Sequence, residues 1–146
     1  MPVENPRIRR YRRRSLQLLQ NAMDQMRDGR WSRSEDLIWG SLTLAVKGVA
    51  LSRGDELEGD EAVQEYAQML GHEKRDRRIR EAFEQVGTFG ETLDRVRESR
   101  TRVDHLFMRL EDVKSAVERL WSMVPNAHAS GPEAAESEAS GSKKDE

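Results

Sequence analysis

Within ESRTRVDHLF, residues 98–107, Arg100 is followed five positions later by His105. An imidazole can move protons, and a guanidinium can stabilise negative charge developing on a phosphate. The pair is therefore a candidate catalytic unit. The chain also holds 20 arginines and three histidines, so a spacing of this kind arises readily by accident. Geometry adds a condition: on a straight helix, positions i and i+5 lie about 140° apart and share no face. Arg100 and His105 can act together only across a bend or between two chains.

The second candidate is RIRRYRRR, residues 7–14, with six arginines in eight residues around Tyr11. Residues 1–14 carry a net +5, residues 126–146 a net −3, and the body between them −4. A basic arm of this density suits phosphate contacts, with Tyr11 as a stacking group. Arg9, Arg10, Arg13 and Arg14 fan around the outside of the helix expected there. The competing reading is a solvated helix start, or a dock for acidic segments such as 133–146. Arginines 75, 77, 78 and 80 extend the patch if they face the same way.

The remaining side chains exclude more than they offer. With no cysteine, disulfides, thiolate metal sites and cysteine nucleophiles are ruled out. Histidines 72, 105 and 128 are scattered, so neither a metal site nor a cofactor is expected. Trp31, Trp39 and Trp121 each adjoin an apolar stripe and read as core or interface anchors. Tyr66 and Met69 read as core. The longest uncharged apolar run, LIWGSLTLAV, is too short to span a bilayer, and the N-terminus lacks the apolar segment of a secretory signal. A cytoplasmic protein without membrane association is the expectation.

The elements that must position these residues are helices. Hydrophobic and charged residues each make up 36% of the chain and aromatics 5%, a balance that suits amphipathic helices. Asn5, Pro6 and Gly29 bound a first helix whose inner face is Ile8, Ser15, Leu19, Ala22, Met23 and Met26. Its first two turns should overhang the core. Ser32 and Glu35 have capping-box spacing and open a second helix, apolar nearly all round and so central. Only Asp36, Gly40, Thr43 and Lys47 form a polar seam on it. A short helix ends at Gly71, another follows over HEKRDRRIREAFEQV, and GTFG at 87–90 should break the latter. Residues 91–124 contain neither glycine nor proline, but their stripe shifts phase, predicting a kink or break near 100–105. We expect an all-α, up-and-down bundle of four to five helices in one domain, residues 1–125, with the basic arm at 1–14. Residues 126–146 should form a disordered acidic tail.

Three segments, SEDLIWGSLTLAVKGVALSRG, EYAQMLGHEKRDRRIREAF and EDVKSAVERLW, resemble in order and spacing the small archaeal branch of the HEPN family (higher eukaryotes and prokaryotes nucleotide-binding). Together they make up 51 of the 146 residues, spread over positions 34–121. The resemblance implies an HEPN-like bundle, a homodimer, and a site shared between protomers. In nuclease members an Arg-x-x-x-x-His pair cuts RNA without a metal. The matching residues here are Arg100 and His105, with the histidine serving the ribose 2′-hydroxyl. The branch's own histidine segment instead aligns with Phe89, Gly90, Glu91 and Thr92, where the histidine has become Gly90. The family's name also points to Asp36 and Lys47 as the lining of a nucleotide pocket. Three functions follow as expectations. The first is a catalytically degenerate binding or regulatory module for a nucleotide, RNA or protein partner. The second is a toxin-like endoribonuclease restrained by an antitoxin-like protein. The third is a plain assembly protein.

Overall fold

Asn5 opens the first helix as anticipated: its side chain accepts a hydrogen bond from the backbone N–H of Arg7 at 2.8 Å, and Pro6 occupies the first turn. The structure, a computed structural model, describes residues 5–125. The acidic tail expected at 126–146 lies outside the described residues. The six helices among them are α1 (Pro6–Arg27), α2 (Trp31–Ser52), α3 (Asp60–Glu73), α4 (Arg77–Arg80), α5 (Ala82–Arg97) and α6 (Asp104–Ser122). No strand occurs among these residues. This is an all-α bundle, with one helix more than expected because the charged run 72–86 divides into a single turn and a longer helix.

The near-continuous apolar surface of α2 places it at the centre, packed against α1, α3, α5 and α6. Ile38, Leu42, Ala45, Val46 and Val49 are fully buried there. Polar groups crossing this core are satisfied reciprocally. Ser15 Oγ donates to the carbonyl of Ser41 at 2.8 Å, and Ser41 Oγ donates back to the carbonyl of Ser15 at the same distance. The indole Nε1 of Trp121 donates to Ser15 Oγ at 2.9 Å, so α6 joins the α1–α2 seam. Gly48 makes room for the Trp121 ring, since a Cβ there would overlap it.

Several boundaries differ from the expectation. The first turns of α1 do not overhang: Ile8 is buried, Arg7 pairs with Glu56, and the Arg12 guanidinium lies 5.4 Å from the Trp121 ring centroid. Ser32 does not cap α2, which starts one residue earlier at Trp31 with no side-chain cap. Its hydroxyl instead accepts from Arg97 Nη2 at 2.5 Å. Gly71 does not end α3. It lets α4 approach, because a Cβ there would stand 2.5 Å from the backbone nitrogen of Arg80.

GTFG does not interrupt α5 either. Glycine inside a helix costs about 1 kcal/mol relative to alanine, and burial of Phe89 and Leu93 offsets it. Met69 is 41% exposed rather than core, whereas Tyr66 is half-buried and donates its hydroxyl to Asp55 Oδ2 at 3.0 Å. The predicted break is present as the link 98–103 between α5 and α6.

Candidate nucleic-acid interface

The rotation of α1 about its axis decides which arginines meet solvent. Burial of Ile8, Ser15, Leu19, Ala22 and Met26 fixes that rotation. It turns Arg9, Arg10, Arg13 and Arg14 outward, all four exposed. Arg10, Arg13 and Arg14 have no ion-pair partner among the described residues. Arg7, Tyr11 and Arg12 do different work. The Tyr11 hydroxyl accepts from Arg7 Nη2 at 3.1 Å, its ring is half-buried against the core, and Arg12 stacks over Trp121. Tyr11 is therefore engaged with the protein's own core rather than standing clear as a stacking platform.

Of the outward arginines, Arg9 falls in the first turn of α1, where a helix tolerates cations least, and the others follow it. The first turns of a helix carry unpaired N–H groups and the positive end of its dipole, which favour acids. The first turn of α1 contains no acid. Arg9 and Arg13, like Arg10 and Arg14, are also i,i+4 neighbours of like charge, and each such pair costs about 0.2–0.5 kcal/mol. These arginines oppose the stability of the helix that carries them.

Arg100 and His105 flank the turn from α5 into α6. Arg100 lies in the link, where its Nη1 pairs with Glu98 Oε1 at 2.8 Å in an exposed ion pair. His105 is exposed in the first turn of α6, its backbone N–H donating to the carbonyl of Arg102 at 3.1 Å. The bend removes the straight-helix separation, yet no hydrogen bond joins the two side chains among the described contacts. Val103 and Met108 beside them are 39% and 62% exposed. Asp36 and Lys47 are not brought together. Eleven residues of helix separate them, about 16 Å along the axis. Lys47 lines a cavity of only about 20 Å³ with Arg7, Tyr11 and Glu56, while Asp36 is exposed.

Asp36 instead contributes to an acidic corner. Burial, then the charges of Asp36 and Asp94, hold the Glu35 carboxyl above the usual carboxylate range. Gly90 packs directly beneath it, where a Cβ would stand 2.7 Å from Glu35 Oε2.

A further polar cleft of about 350 Å³ opens between α4, α5 and α6, lined by Arg77, Arg78, Glu81, Gln85, Arg109 and Asp112. Arg77 and Arg78 belong to the arginines whose direction was open in the sequence. Arg109 and Asp112 were not anticipated at all. Their spacing of three on the flank of the α6 stripe was the available signal, but nothing in one dimension identifies the helix they face. No family model matches the chain, and comparison with curated proteins and with solved structures likewise yields no match.

Proposed function

We propose that the chain is an HEPN-like helical binding module that contacts RNA through the outward arginines of α1, without catalysis. The observation that carries this reading is the placement of Arg10, Arg13 and Arg14. They are exposed, without carboxylate partners among the described residues, and each has a like charge four residues away on the helix. A helix start selected only for solubility would mix in acids. Loss of intrinsic stability in exchange for a phosphate-binding face is common to functional surfaces.

A second reading is favoured by the bend at 98–103 and by exposed Val103 and Met108: a homodimer joined at this corner, with Arg100 and His105 of two protomers forming a metal-independent ribonuclease site. An antitoxin-like partner would then cover that corner. The Arg100–Glu98 pair weighs against it, because the guanidinium would first have to leave its carboxylate.

Incubating purified full-length protein with single-stranded RNA separates the two. The binding reading predicts retained, intact RNA, with retention lost in an Arg10→Ala, Arg13→Ala, Arg14→Ala variant. Cleavage abolished by both His105→Ala and Arg100→Ala would replace it with the nuclease reading.

A further inference from the structure

An arginine makes its strongest hydrogen bonds to ionised acceptors such as carboxylates. In the cleft between α4, α5 and α6 two arginines make no such bond among the described residues. Arg78 Nη1 donates to Ser115 Oγ at 3.1 Å, and Arg109 Nη1 donates to Gln85 Oε1 at 3.2 Å. Both contacts are to neutral oxygens, so each guanidinium is held in place without a bonded carboxylate. A guanidinium carries five N–H donors, which leaves several on each for another acceptor.

Asp112 is the complementary anomaly. It stands three residues after Arg109 on α6, a spacing at which an acid and an arginine are neighbours. Both are half-buried and line the same cleft, yet neither makes an ion pair among the described residues. The other acid of the lining, Glu81, is occupied by Arg77 at 3.2 Å and Arg80 at 3.6 Å. The wall behind the cleft is braced. Asp76 accepts from the backbone N–H groups of Arg78 and Ile79 at 3.0 and 3.3 Å, and pairs with Arg119 of α6 at 2.8 Å. The cleft therefore presents two oriented guanidiniums and one unoccupied carboxylate, in a volume within the range of small-molecule sites.

We infer that this cleft binds a phosphate monoester carried on a hydroxylated sugar. Arg78 and Arg109 share the phosphate dianion, which matches two planar donor forks, and Asp112 accepts hydrogen bonds from the sugar hydroxyls. A bare anion would leave Asp112 repelled and unsatisfied, and a neutral sugar would leave both guanidiniums without a bonded anion. The same chemistry occurs in a free sugar phosphate and at the phosphorylated end of an RNA. Only the RNA-end source rests on the RNA reading above. The pocket itself does not.

The test is calorimetric titration of the full chain with ribose 5-phosphate, ribose and inorganic phosphate. Saturable binding of ribose 5-phosphate is expected, with ribose and phosphate each weaker by about tenfold or more. Arg109→Gln should weaken ribose 5-phosphate by a similar factor with the fold intact by circular dichroism. Asp112→Asn should erase most of the preference over inorganic phosphate. Should Arg109→Gln fail to fold, Arg78→Gln, at an exposed residue, provides the same readout.

Absence of ribose 5-phosphate binding to the wild type, or equal binding by the arginine variants, overturns the assignment. A second arm compares one short RNA bearing either a 5′-phosphate or a 5′-hydroxyl. A preference for the phosphorylated end that disappears in Arg109→Gln identifies the RNA terminus as the source. Equal binding of both RNAs, with ribose 5-phosphate still saturable, identifies the free sugar phosphate. If neither RNA binds while ribose 5-phosphate does, the α1 reading fails and the pocket stands.

Discussion

The arginines at the start of α1 and those around α4 and α6 are similar in density but opposite in what they do for the fold. Around α4, most arginines are answered by carboxylates, while Arg78 and Arg109 rest on neutral oxygens. Asp76 caps the turn and holds Arg119, and Glu81 takes Arg77 and Arg80. At α1, Arg7 and Arg12 are tied down by Glu56 and the Trp121 ring, but Arg10, Arg13 and Arg14 have no such answer among the described residues. They stand just past a first turn that contains no acid, each with a like charge four residues away. Arginine content alone thus says little about binding. What distinguishes the two regions is whether removing a charge would stabilise or destabilise the helix that bears it.

That contrast can be broken most severely from beneath. Trp121 fixes the rotation of α1 through its bond to Ser15 and lies under Arg12. Trp121→Ala should cost about 3–5 kcal/mol in urea unfolding, with loss of the α1 arginine face as a secondary result. In the α4 region, Asp76→Ala removes two backbone caps and the Arg119 pair and should cost about 1–2 kcal/mol, whereas Asp76→Asn keeps the caps and costs less.

The sign should then reverse at α1. Arg10→Glu replaces the like-charge pair with Arg14 by a favourable Glu–Arg i,i+4 pair, so unfolding should become harder by about 0.5–1 kcal/mol while RNA retention falls. The smallest effect belongs to Glu35. Its carboxyl is held above its ordinary range by burial and by Asp36 and Asp94, so the folded state binds the proton more tightly than the unfolded chain. Stability therefore falls as pH rises from the ordinary glutamate range through the raised value. Glu35→Gln should match the wild type below that range and exceed it above, by less than about 0.5 kcal/mol, in unfolding midpoints measured across pH.

The helices and the central position of α2 were legible because apolar periodicity is strong there, and the end of α1 because Gly29 marks it; α2 closes in the same way at Gly54. Gly29 and Gly54 take the left-handed conformation just after each helix, with φ of 81° and 86°. The N–H groups of Gly29 and Arg30 then close on the carbonyls of Met26 and Gln25. The same closure ends α3 and α5, but with Arg75 and Ser99 at φ 52° and 59° in glycine's place. A reader of sequence looks for glycine at such points and finds Gly71, Gly87 and Gly90 inside helices instead. Gly71 and Gly90 are there for close packing against Arg80 and Glu35.

The α4–α6 cleft was illegible for another reason. Arg78 and Arg109 are 31 residues apart in sequence and line one cleft because α4 packs against α6. The α1 arginines were legible as a cluster. Which of them face outward depended on Ile8 and Ser15 being buried.

The most direct test of the central claim is the salt dependence of single-stranded RNA binding by the full chain, compared with the Arg10→Ala, Arg13→Ala, Arg14→Ala variant. Each lost phosphate contact should reduce the slope of log affinity against log salt by about 0.7, so the variant's slope should be shallower by about 2. Equal slopes, with both proteins folded, would contradict the account and leave the outward arginines of α1 as solvated charge.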